Sequence, residues 1–237
     1  MQARVANCET VSMYDLEQKI TFGGIEFSMG QLIDMQKMTT ALLDIRANNE
    51  YQKDYGIATA KIEASRAALQ VYADSLGGEL GERYSAAISD ALDIKEENYQ
   101  KSIDFKHYEI IRKKWMNLNW NIDVEGRQPW NERELAKIEG RLESFETWAS
   151  RNSAAADLFK NTDTSSKDAL NHSFKNQLSE LEKMQSEYQS KYTAFQLESL
   201  QGHINSLLKQ FGYQAEQKPN NDPFASYPPI KGLSQKA

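Results

Sequence analysis

The chain has 237 residues and a net charge of -6, with a pI of about 5.3. Beyond the triplet Arg112-Lys113-Lys114 it carries no Lys/Arg cluster, which argues against a nucleic-acid or anionic-membrane surface. Its one cysteine, Cys8, excludes a disulfide scaffold and a cysteine-based metal cluster. With 40% hydrophobic residues and a mean hydropathy of -0.70, it is too polar for a large globular core and too apolar to be disordered throughout, a balance that suits elongated helices. Of five prolines, four lie after position 218, so long uninterrupted helices are allowed. The N-terminus lacks the apolar core of a cleaved secretory signal. No run of about 18 apolar residues exists to span a membrane as a helix.

Residues 1–19 are polar and without strong periodicity, and read as a flexible segment. In 20–27, Ile20, Phe22, Ile25 and Phe27 alternate with polar residues around Gly23-Gly24, which predicts a two-residue β-hairpin. Ser28 with Gln31 forms a capping-box pattern. A long helix is expected over 28–78. Its apolar positions are Leu32, Met35, Met38, Leu42 and Ile45, then Tyr51, Tyr55, Ala58, Ile62, Ser65, Leu69, Tyr72 and Leu76, and Gly77-Gly78 stops it.

Residues 79–165 are read as an inserted, Trp-rich subdomain. Tyr84, Ala87, Ala91 and Ile94 share one helical face, continued by Phe105, Tyr108, Ile111 and Trp115. The period then changes to two at Trp120, Ile122 and Val124, which predicts a short strand, and Gly126 to Pro129 reads as a turn. A new helix is expected from Asn131, with Leu135, Ile138, Leu142, Phe145 and Ala149 inward. Residues 150–165 read as a linker with one short helix around 153–160. A second long helix is predicted over 166–211. Its seam runs through Phe174, Leu178, Leu181, Met184, Tyr188, Tyr192 and Phe195. The stripe then shifts phase to Leu197, Leu200, Ile204, Leu207 and Phe211. The tail, 212–237, is Pro-rich and reads as flexible.

These elements predict a mainly α protein: a long antiparallel coiled-coil hairpin with a small mixed α/β subdomain inserted between the long helices. Trp115, Trp120, Ile122, Val124, Trp130 and Trp148 either line a ligand pocket or form the core of that subdomain. The core is the reading preferred, because a small unit needs large side chains to stabilise itself.

No constellation with catalytic or metal-ligating spacing stands out, so no catalytic residue, cofactor or metal is expected. His107, His172 and His203 are isolated, and read as surface or seam histidines. NTDTSSKD (161–168) lacks the central Gly and terminal Glu of a calcium loop. Glu143 and Glu146 flank Phe145 as a solvated pair. Apolar stripes left over in a two-helix hairpin point to self-assembly or a partner.

Three stretches resemble the hydrophilic translocators of bacterial type III secretion systems, the needle-tip proteins and EspA-type filament proteins. IIRKKWMNLNWNIDVEG (110–126) is similar to the family's helix, break and short strand. WNERELAKIEGRLESFETWAS (130–150) is similar to the helix that follows. The segment SSKDALNHSFKNQLSELEKMQSEYQSKYTAFQLESLQGHINSLL (165–208) is similar to its C-terminal helix.

The resemblance implies a secreted or cell-surface structural protein, exported on an uncleaved N-terminal signal and polymerising as a tip ring or helical filament that supports effector translocation. It implies the secretion needle, translocator proteins and a cytoplasmic chaperone as partners. Leu197, Leu200, Ile204, Leu207 and Phe211 are then the expected subunit contacts. The competing readings are a cytoplasmic coiled-coil scaffold or adaptor and, behind it, a helical pore-forming toxin, which would need an apolar hairpin not visible in the sequence.

Overall fold

The structure, a computed structural model, describes residues 16–45, 55–119, 128–188 and 191–214. Among these the chain is mainly helical, with one small two-stranded sheet. Strands β1 (Lys19–Phe22) and β2 (Ile25–Ser28) pair antiparallel, Phe22 against Ile25. Gly23 and Gly24 both take positive φ, 59° and 84°, the backbone that a primed hairpin turn demands. The turn rests on the bundle through Arg83 Nη1, which donates to the Gly23 carbonyl at 3.0 Å. Helix α1 (Met29–Leu43) starts at the expected capping box. The Gln31 amide donates to Ser28 Oγ at 3.1 Å, and the Ser28 amide donates to Gln31 Oε1 at 2.8 Å.

Helix α2 (Tyr55–Leu76) occupies the centre. It touches α1, α3 (Gly78–Asn119), α4 (Gln128–Lys160), α5 (Lys167–Tyr188) and α6 (Lys191–Gln210), and packs most extensively on α4 and α3. Its sequence explains this position. Ala58, Ala60, Ala64, Ala67, Ala68 and Ala73 are all buried, and such small side chains let neighbours approach from several sides. A helix apolar nearly all round belongs inside. Ile62 and Leu69 fill the remaining space, and burying such a side chain contributes roughly 1.5–3 kcal/mol.

The two expected long helices are both shorter, and each doubles back. Ser65 Oγ donates to the Leu42 carbonyl at 2.9 Å, whereas 23 intervening steps of one straight helix would separate them by about 35 Å. Hence α1 and α2 lie side by side, not end to end. Likewise Gln201 Nε2 donates to Glu182 Oε1 at 2.9 Å, where one helix would place them about 29 Å apart. Helices α5 and α6 therefore form a hairpin. Its open end closes where Tyr213 Oη donates to the Asp168 carboxylate and Lys167 Nζ lies 5.9 Å from the Phe211 ring centre. Gly212 (φ 90°) ends α6, with the Tyr213 amide bonding back to the Leu208 carbonyl and the Gly212 amide to Lys209, a Schellman closure.

The longest helices are α3 and α4, within the segment read as an insertion. Helix α4 runs on unbroken through 150–160, where a linker with one short helix around 153–160 is expected, so Ala156 and Phe159 join the core. The flexible reading of 1–15, the seam position Tyr51, the strand at Trp120, Ile122 and Val124, and the tail beyond 214 lie outside the described residues. So do the side chains of Trp130, Trp148, Tyr188, Tyr192 and Phe195.

Candidate functional site: the outward face of helix α3

Helix α3 leaves α2 at a tight corner. Gly77 and Gly78 have φ of 70° and 51°, and the Gly77 amide closes on the Ala73 carbonyl at 3.1 Å. The two helices then run antiparallel. Tyr72 meets Tyr84 edge to face at 5.5 Å, and further along Arg66 Nη2 holds both Asp93 Oδ1 and Glu96 Oε2 at 2.7 Å. Continued at equal helical rise, this pairing brings Tyr55 level with about residue 105 of α3. Beyond that point α3 passes the described part of α2 and pairs with the first half of α4. His107 stacks on Phe145 at 5.4 Å, and Lys114 Nζ lies 3.2 Å from Glu139 Oε1.

The inward face of α3 follows a 3/4 spacing through Ile88, Leu92, Glu96, Tyr99, Ile103, His107, Ile110 and Lys114, buried or half-buried throughout. A second apolar stripe lies on the opposite side. Ile94 (58% exposed), Phe105 (63%), Tyr108 (58%), Ile111, Trp115 (65%) and Met116 all face outward. Single exposed apolar residues are ordinary, but from Phe105 to Met116 five large ones cluster within about three turns, the kind of patch that calls for a cover. Arg112 and Lys113 border it, both exposed. Of the face expected to run from Tyr84, Ala87 and Ala91 through Ile94, Phe105, Tyr108, Ile111 and Trp115, the last five do share a side and are exposed, whereas Tyr84 packs inward on Tyr72. The missed signal is that α3 carries two apolar stripes about half a turn apart, and a helix with one packed side cannot bury both.

Two groups of expected site residues change role. Leu197, Leu200, Ile204 and Leu207 are buried in the chain's own core, and Phe211 is half-buried against Tyr72 at 6.4 Å. The stripe expected to face another subunit is taken up by α1 and α2 once α5 and α6 fold back. Trp115, expected in a subdomain core, points outward instead, because the inward positions of its helix go to Ile110 and Lys114.

The second polar constellation lies inside, where α1, α2 and α6 meet. Ser65 Oγ is 2.9 Å from His203 Nε2, and Lys61 Nζ donates to Ser199 Oγ at 2.7 Å. Burial, then the Lys61 ammonium, pushes the His203 ring down to about 4, against upward pulls from a Lys61 backbone hydrogen bond and Asp44. Ser65 has no exposed surface and His203 almost none, so this Ser–His contact fastens helices. Burial also raises the Glu63 carboxyl, although Arg66 beside it pulls the other way. In the loop before α5, Asp163 accepts from the Ser165 amide at 2.9 Å, and this hydrogen bonding holds its carboxyl below the ordinary range. The Ala169 amide donates to Ser166 Oγ at 3.0 Å, capping the helix.

Among the described residues no group of three or more His, Cys, Asp or Glu is placed to hold a metal ion, and no helix is long and apolar enough to cross a membrane. Comparison with protein-family models, with curated proteins and with solved structures finds no match.

Proposed function

We propose that the chain is a structural assembly protein that works through surface contacts, and that it serves as a secreted component of a type III secretion needle tip or filament. The observation that carries the assembly reading is the outward stripe of Phe105, Tyr108, Ile111, Trp115 and Met116 on α3. Five large apolar side chains on one exposed helical face are costly in water unless something covers them. The secretion reading is supported by the likeness of 110–126, 130–150 and 165–208 to the hydrophilic translocators. A chain with prolines concentrated near one end and a single cysteine also suits unfolding for passage and rapid refolding through local helical contacts.

The test has two parts. Electron microscopy of the purified chain is expected to show rings or filaments, which Phe105→Glu with Tyr108→Glu abolishes while the helical content stays unchanged. In a host carrying the export apparatus, the chain is expected in the culture supernatant without cell lysis. Retention in the cytosol overturns the secreted reading in favour of the scaffold or adaptor.

A further inference from the structure

We infer that the outward face of α3 is a two-fold symmetric dimer contact, occupied by the same face of a second copy running antiparallel. This deepens the assembly reading above and rests on it. The reasoning starts from charge. From 90 to 97, acidic residues of α3 outnumber basic ones four to one; from 112 to 119, there are three basic residues and no acidic one. A parallel pairing sets like ends together. An antiparallel pairing sets the acidic stretch 90–97 of each copy on the basic stretch 112–119 of the other.

The residue order fits that arrangement in detail. The outward seam is Ile94, Glu97, Lys101, Phe105, Tyr108, Arg112 and Trp115. A two-fold axis crossing α3 between Asp104 and Phe105 sets Ile94 against Trp115, Glu97 against Arg112, and Lys101 over the Tyr108 ring. Phe105 then lies beside its own copy. An apolar pair closes each end, an ion pair sits inside it, and a cation–π pair and the aromatic centre follow. Such self-complementarity is what an isologous contact requires.

The charged positions are accessible. Among the described residues Glu97 is tied to Lys101, one turn away on the exposed surface, at 2.6 Å. The six outward apolar side chains expose roughly 600 Å² per copy, taking 150–250 Å² for a whole aromatic side chain. That approaches the roughly 800 Å² that each partner contributes to a standard stable interface.

The test uses the full chain. Sedimentation of the unmodified protein, at concentrations too low for rings or filaments, is expected to show a dimer. Arg112→Glu, which opposes Glu97 of the second copy, is expected to weaken dimerisation roughly tenfold or more. The double variant Glu97→Arg with Arg112→Glu is expected to restore it. In a Cys8→Ser background, Phe105→Cys should oxidise to a covalent dimer. Ile94→Cys and Trp115→Cys should each stay uncrosslinked alone and crosslink when mixed.

A sedimenting monomer, or a charge swap that restores nothing, overturns the antiparallel dimer. If the unmodified chain is monomeric while Phe105→Glu with Tyr108→Glu still abolishes rings or filaments, the dimer is wrong and the assembly reading stands. A dimer from a chain that is never exported sinks the secreted reading alone.

Discussion

Ser65 and His203 meet at 2.9 Å in the interior, although 138 positions separate them in the chain. The same hydroxyl donates to the Leu42 carbonyl at 2.9 Å, so one serine binds α2 to α1 and to α6 at once. A polar group with no exposed surface must have partners, and each partner here comes from a different helix. The contact therefore fixes relative position in a seam where Leu200, Ile204 and Leu207 supply most of the burial.

The buried imidazole gives stability a pH dependence of known sign. The folded ring titrates at about 4 and the unfolded one at its ordinary value of 6.5. Below 6.5 the unfolded chain takes up a proton that the folded chain refuses. This contribution to stability is complete above 6.5 and is lost as pH falls towards 4, by about 3 kcal/mol in all. Urea unfolding at about pH 7 and about pH 4.5 should show the loss, and His203→Gln should remove that part of the pH difference. An unchanged difference would mean that the ring is not neutral in the fold.

Charges on α6 separate core from surface. Leu200→Asp with Leu207→Asp is expected to abolish folding, because both side chains are buried at 1% exposure or less. As subunit contacts, the same pair would leave a folded monomer. Ile204→Ala is expected to cost about 2–5 kcal/mol. Phe105→Ala and Tyr108→Ala should each change the stability of the single chain by no more than about 0.5 kcal/mol. Circular dichroism with urea titration at low protein concentration distinguishes the two classes.

Two glycines in helices should respond in opposite directions to alanine. A Cβ on Gly81 would sit 2.3 Å from the Ala73 carbonyl oxygen, where α3 lies against the end of α2. Gly81→Ala is expected to destabilise by about 1–3 kcal/mol, since backbone must shift. A Cβ on Gly140 meets nothing within 4 Å, so Gly140→Ala should stabilise α4 by about 0.5–1 kcal/mol. Thermal or urea unfolding of the two variants beside the parent checks both signs.

Local features were legible in the sequence because neighbouring residues alone decide them. Gly23-Gly24 supplies the positive φ of the hairpin, Ser28 with Gln31 caps α1, and Gly77-Gly78 ends α2. The places where long helices double back were not. A 3/4 spacing of apolar residues continues unchanged whether the next turn extends the helix or belongs to a returning one, since both bury the same stripe. The phase shift entering Leu197 is a trace of the α5–α6 return in the sequence, but a change of partner along one straight helix would leave the same trace. The site was legible in its members and not in its direction. Phe105, Tyr108, Ile111 and Trp115 share a face by spacing, but which face of α3 meets the bundle depends on Arg66, Asp93 and Glu96, contributed by two helices.

The reach from Lys61 to Ser199 and from Ser65 to His203 has a consequence for the order of folding. Helices α2, α3 and α4 follow one another directly and can pack as the chain emerges. The groove on α1 and α2 that receives α6 cannot close until residues near 200 arrive. At 5–20 residues per second, the 138-residue gap keeps that groove open for on the order of 7–28 s of synthesis. During that interval the Ser65 hydroxyl waits for His203, and the side of α2 that α6 will cover stays open to water.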